Sequence, residues 1–131
     1  MNAIDPAHYR GATLQTRDIF RAYRLGPDLA NVVKYLCRYD HKNGREDLSK
    51  AARYLRMFAE DSGAIQIQLL LWHSDPVGFP HMNSLSVAKD FGGANKTKTD
   101  LLSLALLLPI GRTDTLVNRV EFLASLIEST F

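Results

Sequence analysis

The sequence predicts a mainly α-helical fold. It reads as a compact helical domain of three N-terminal and two C-terminal helices, with either a short strand or a buried helix near residues 65–72. Three observations lead there. Apolar residues recur at a 3.6-residue period in the first half, as in Leu29, Val32, Val33 and Leu36, and again in Leu48, Ala51, Ala52, Leu55 and Phe58. Gly26-Pro27, Lys42-Asn43-Gly44 and Ser62-Gly63 then punctuate the chain where one helix should stop and another begin. Finally, two very apolar segments near the C-terminus each follow a capping residue, Thr99 or Asp100 for the first and Thr113 for the second.

Taken in order, residues 1–14 form an extended lead-in, because Pro6 and Gly11 discourage helix. A first helix starts at Gln15 or Thr16, carries Ile19, Phe20 and Tyr23 at helical spacing, and ends at Leu25-Gly26. Pro27 suits the first turn of the next helix, which runs to about Tyr39. Asp40 to Gly44 is a turn, and Arg45 to Asp61 is the third helix, closed by Ser62-Gly63. Ile65 to Trp72 alternates at first and then becomes wholly apolar, a pattern that fits a strand and a buried helix equally. His73 to Asn83, with Pro76, Gly78 and Pro80, is loop, whereas Leu85 to Phe91 is too short and mixed to assign. Gly92 to Thr99 reads as a polar loop, Leu101 to Leu108 as a helix stopped near Pro109 and Gly111, and Thr113 to about Ser129 as the last helix.

One domain over 1–131 is expected, since the chain is long enough for one real core and shows no repeat or low-complexity segment. The net charge of +2 is unevenly placed: residues 1–60 hold 11 Lys and Arg against 7 Asp and Glu, and residues 61–131 hold 5 against 7. Such a local excess suits an anion site better than extended nucleic-acid binding, which needs a stronger basic bias. Cys37 is the only cysteine, which rules out an internal disulfide and fits a reducing cytoplasm. Neither a secretion signal nor an apolar run approaching the roughly 20 residues of a bilayer span is present, so a soluble protein with no membrane partner is expected.

Chemistry concentrates in Asn31 to Leu55. Asn31, Lys34, Tyr35 and Arg38 precede the Lys42-Asn43-Gly44 turn, and Glu46, Asp47, Lys50 and Tyr54 follow it. Residues three, four and seven apart share a helix face, so each run presents its polar groups on one side and the turn folds the two sides together. Lys34, Arg38, Lys42 and Lys50 supply converging N–H donors of the kind phosphate needs, Arg as a planar fork and Lys as a point charge. Glu46 and Asp47 can hold a magnesium ion or orient a hydroxyl nucleophile, while Tyr35 or Tyr54 suits a base. The same residues also have an ordinary reading. Glu46 and Lys50 form an i,i+4 pair that supports an exposed helix, and Asp47 favours the helix N-terminus.

The segments DPAHY, LANVVKYLCRY and HKNGREDLSKAARYL resemble a phage-encoded family of small helical proteins. That family carries a P-x-H-Y element, a G-N-x-x-K-Y-x-x-R helix and a K-x-G-x-E-D-L-x-K-A-x-x-Y-L helix, and it includes the nucleotide kinase of T7-like phages. The resemblance covers roughly residues 5–58; Ala30 stands where Gly is frequent, and Tyr39-Asp40 replaces a small residue and Gly. It implies a nucleotide ligand such as ATP and phosphoryl transfer to a nucleoside monophosphate. For that reaction the candidate catalytic residues are Glu46, Asp47 and Lys50, and the carboxylate chemistry of Glu46 and Asp47 suits Mg2+. The implied ligand-binding residues are His8, Tyr9, Asn31, Lys34, Tyr35, Arg38, Lys42 and Tyr54, together with Pro6 in the lead-in. It divides the chain into a family-like half, 5–60, and a divergent apolar half, 61–131, that serves packing or homo-oligomer formation.

Other mechanisms are disfavoured. His8, His41, His73 and His81 with Cys37 show no metal-ligand spacing, so zinc is not expected. Gly93 stands three residues before Lys96, and no Gly precedes that Lys; residues 92–97 therefore lack the Walker pattern and read as a flexible loop. Glu46-Asp47 has no second acidic pair to face it, as two-metal triphosphate hydrolysis would need. Two functions remain. One is a nucleotide-binding protein, a monophosphate kinase without a P-loop. The other is a phage anti-defence protein, an anti-CRISPR or a sequesterer of a nucleotide signal, that acts in the bacterial host cytoplasm by binding a host protein or signal.

Overall fold

The computed structural model describes residues 14–74 and 83–130, and among these the chain is helical without a β-sheet. Seven α-helices follow one another: α1 Thr16–Ala22, α2 Pro27–Arg38, α3 Arg45–Glu60, α4 Ser62–His73, α5 Ser84–Gly92, α6 Lys96–Leu106 and α7 Leu116–Glu128. Short 3-10 turns, Tyr39–His41 and Thr113–Thr115, precede α3 and α7. The expected mainly helical fold is therefore what forms. The lead-in with Pro6, His8 and Tyr9, and most of the loop after His73, lie outside the described residues.

α3 is the central element. Its apolar stripe Leu48, Ala51, Ala52, Leu55 and Phe58 is buried, packing against α2 on one side and α7 on the other. α2 buries Leu29, Val32, Val33 and Leu36 against α3 and α6, and α5 pairs with α6. The α5–α6 hairpin is tight because Gly92 has no side chain: a Cβ there would collide with the Thr99 hydroxyl. Gly93 follows at φ +55°, a left-handed turn that favours glycine.

The last helix starts at Leu116, after the 3-10 turn Thr113–Thr115, so Thr113 does not cap it. Three other helix starts differ from the sequence reading. Ser62-Gly63 opens α4 as well as following α3, because the Asp61 side chain accepts from the Ala64 N–H at 3.0 Å and caps a new helix immediately. Asn83 caps α5 in the same way through the Ser86 N–H at 3.0 Å, and Asn95 caps α6 through the Lys98 N–H at 3.0 Å. The polar residues 96–99 are thus the first turn of α6 and not loop. In each case a single capping side chain outweighs a locally polar or mixed composition.

The open alternative at residues 65–72 resolves as helix, but not as a fully buried one. Only Gln68 and Trp72 of α4 are buried, while Ile67 and Leu70 are 60% and 70% exposed. Gln68 is buried because the α1–α2 turn needs it. Its Oε1 accepts from Gly26 N–H at 2.7 Å and its Nε2 donates to the Arg24 carbonyl at 2.7 Å, while Trp72 Nε1 donates to the Tyr23 carbonyl at 2.9 Å. Arg24 holds φ +47° in that turn, so the side chains of α4 support a backbone bend that a non-glycine residue rarely adopts.

Candidate functional site

α2 and α3 run antiparallel, and the turn between them brings the polar stripes together. Tyr35 and Tyr54 stack with ring centroids 6.1 Å apart and planes 20° from parallel. Three cations surround the Tyr35 ring. The Lys34 ammonium lies 4.7 Å from its centroid, the Arg38 guanidinium carbon 4.8 Å and the Lys50 ammonium 5.5 Å. Each lies within the roughly 6 Å over which a ring face attracts a cation. Lys50 thus turns towards Tyr35, and no ion pair forms between it and Glu46.

The cations differ in what holds them. Arg38 is buried and forks onto Asp47, Nε to Oδ2 at 3.1 Å and Nη2 to Oδ1 at 3.3 Å. Asp47 is wholly buried, and its Oδ2 also accepts from the Asn43 N–H at 3.3 Å. Both oxygens of Asp47 are therefore engaged within the protein, which gives it the work of holding Arg38 and shaping the turn. Glu46, the other expected metal-binding and catalytic carboxylate, is exposed. Among the described residues no group of three or more His, Cys, Asp or Glu side chains is arranged to hold a metal.

Lys34 and Lys50 are half-buried and make no hydrogen bond or ion pair with another described residue. Asn31 is half-buried one turn before Tyr35 on α2, and Lys42 is exposed in the turn. Of the expected site residues, Lys34, Tyr35, Arg38, Asp47, Lys50 and Tyr54 meet directly; Asn31, Lys42 and Glu46 stand at the edges of the group; His8 and Tyr9 lie outside the described residues.

A second charged group, absent from the sequence reading, borders the same turn. The buried Lys98 ammonium meets Asp40 Oδ1 at 3.0 Å, Asn95 Nδ2 donates to Asp40 Oδ2 at 3.2 Å, and His41 Nδ1 lies 3.0 Å from Asp40 Oδ1. Burial alone would raise the Asp40 carboxyl, but the hydrogen bond and charge of Lys98, with Asn95 and His41, hold it below the ordinary carboxylate value. Cys37 lies close by, and burial pushes its thiol up to about 12 against the lowering charge of Lys98. No spacing rule could have found this group, because Asp40 and Lys98 are 58 residues apart.

Fold and site together define a small, mainly helical protein whose α2–α3 seam carries stacked phenols under a cluster of cations. A family model described as a protein of unknown function (DUF3310) matches residues 4–56, under half of the chain, and this span contains every seam residue just named. No curated protein matches the chain. No solved structure matches it either. No helix among the described residues is long and apolar enough to cross a membrane.

Proposed function

We propose that the α2–α3 seam binds a small phosphorylated ligand, a nucleotide, in the cytoplasm of a bacterial host. The observation that carries this reading is the convergence of Lys34, Arg38 and Lys50 on one aromatic ring. Like charges held this close repel one another, and Asp47 neutralises only one of them. A phosphate beside Lys34 and Lys50 would relieve that repulsion, and Tyr54 offers a stacking face for a base. Binding is better supported than phosphoryl transfer, because Asp47 is already committed to Arg38. Mg2+, where used, would arrive on the nucleotide phosphates, with Glu46 as the accessible protein carboxylate.

Calorimetric titration with nucleoside mono-, di- and triphosphates tests the reading. Saturable heat is expected, and Lys34→Ala or Lys50→Ala should each weaken binding by about tenfold, the loss of one charge-assisted hydrogen bond. The absence of heat with every nucleotide would sink the proposal. Tight binding without turnover of ATP against any acceptor would favour sequestration over a kinase.

A second reading, docking on a host defence complex, draws support from where apolar surface is exposed. Ile67, Leu70, Leu85, Leu107, Ile110 and Phe122 all lie beyond residue 60, and Met57 is the one large exposed apolar side chain before it among the described residues. The same surface suits a homo-oligomer. Size-exclusion with light scattering would identify self-association, and a stoichiometric host protein lost in a Leu70→Lys, Phe122→Lys variant would favour docking.

A further inference from the structure

A cavity of about 400 Å³ opens at the far end of the same seam, where α2 begins, α3 ends and α4 turns away. Pro27, Phe58, Ala64 and Ile67 supply its apolar wall, and Asp28 and Asp61 line it with carboxylates. The volume falls in the range of small-molecule pockets. We infer that this cavity binds a small organic cation with an apolar body, an amidinium, guanidinium or substituted ammonium. Its charge would lie against Asp28 and Asp61, and its body against Pro27, Phe58 and Ile67.

Charge complementarity carries the choice of occupant. Asp28 has no hydrogen-bond or ion-pair partner among the described residues, and Asp61 uses Oδ1 to cap α4, which leaves Oδ2 open. Burial, and then the charge of Asp61, raise the Asp28 carboxyl above its ordinary value. Capping of α4 accounts for Asp61, and a place in the first turn of α2 for Asp28, but neither accounts for two carboxylates lining one largely apolar space with no cation between them among the described residues. A neutral ligand would leave that repulsion in place, an anion would worsen it, and a compact cation would remove it.

The cavity is separate from the phosphate end of the seam. Asp28 stands seven residues before Tyr35, and Asp61 seven after Tyr54, about 10 Å along each helix axis. The inference therefore does not depend on nucleotide binding.

Benzamidine and its isosteric neutral counterpart benzamide are suitable probes, titrated into the full chain and followed by amide resonances. Benzamidinium should shift Gly63, Ala64 and Ile67 saturably, and benzamide should bind about tenfold more weakly. Asp28→Asn and Asp61→Asn should each remove most of that preference while leaving benzamide binding unchanged; asparagine can replace Asp61 as a cap, and Asp28 makes no capping hydrogen bond, so circular dichroism should be unaltered. Equal affinity for the two probes in the unsubstituted protein would overturn the inference whatever the variants do. So would shifts centred on Tyr35 and Tyr54, or variants that bind benzamidinium as tightly as before. A short arginine peptide binding about tenfold more tightly than benzamidinium would replace the small-molecule occupant with a peptide.

Discussion

Arg38–Asp47 and Lys98–Asp40 are both ion pairs beside the α2–α3 turn, yet they are built differently. The first joins residues nine apart within one hairpin, and both side chains are sealed from water. The second joins residues 58 apart, ties the turn to α6, and leaves Asp40 partly in water. A local pair shapes the turn that makes the site; the long-range pair fixes that turn to the rest of the molecule. The cost of breaking each should follow how completely the surviving partner is cut off from solvent.

The largest effect should come from Asp47→Ala, which strands a buried guanidinium and should cost about 3–5 kcal/mol in denaturant unfolding. The paired replacement Arg38→Met, Asp47→Leu should recover most of that loss, because no uncompensated charge remains. If the single and double variants are equally unstable, Asp47 acts through something other than Arg38. Lys98→Met should cost less, about 2 kcal/mol, since Asp40 keeps water, Asn95 and His41.

The two pairs can be compared further by acid titration. The folded Asp40 carboxyl lies below its ordinary value of 3.8, so the unfolded chain takes up the proton first as pH falls. Its stabilisation is complete above that ordinary value and disappears as pH drops through the lower folded one. The stability gap between the natural chain and Lys98→Met should therefore be constant near neutrality and close below about pH 4. A gap independent of pH would mean that Lys98 contributes through packing alone.

The smallest effect concerns Cys37. Its thiol is buried and pushed up to about 12, so thiolate is scarce and inaccessible in the folded chain. Alkylation by iodoacetamide at neutral pH should track unfolding and slow by about a hundredfold or more in the native protein. Fast labelling without unfolding would show that the turn opens locally, and would weaken the view of it as clamped from both sides.

Most of the first half was legible. The apolar period of α2 and α3 follows from helical repeat and the Gly26-Pro27 stop and start from local punctuation, while the meeting of Lys34, Tyr35, Arg38, Lys50 and Tyr54 also needs the turn that folds α3 back on α2. The second half was harder because its signals compete. α4 is apolar on nearly every side, so its pattern could not separate helix from strand, and its few inward residues are chosen by contacts with the α1–α2 turn. α5 and the start of α6 depend on Asn83 and Asn95, single caps within polar stretches. Asp28 and Asp61 stood in the right register from the tyrosines, yet nothing local marked the cavity between them.

By itself the sequence determined the helical class, the facing polar stripes and the choice of phenols and cations for them. Those are properties of spacing along one helix, where neighbours are three or four residues away. Only the tertiary structure decided which charges are available. Arg38 and Asp47 turn inward on each other, Lys98 reaches back to Asp40, and Lys34 and Lys50 are left beside the stacked rings. The reason is physical: a charge becomes a tie or a site according to its burial and its partner, and both are set by chain segments that the local pattern does not contain.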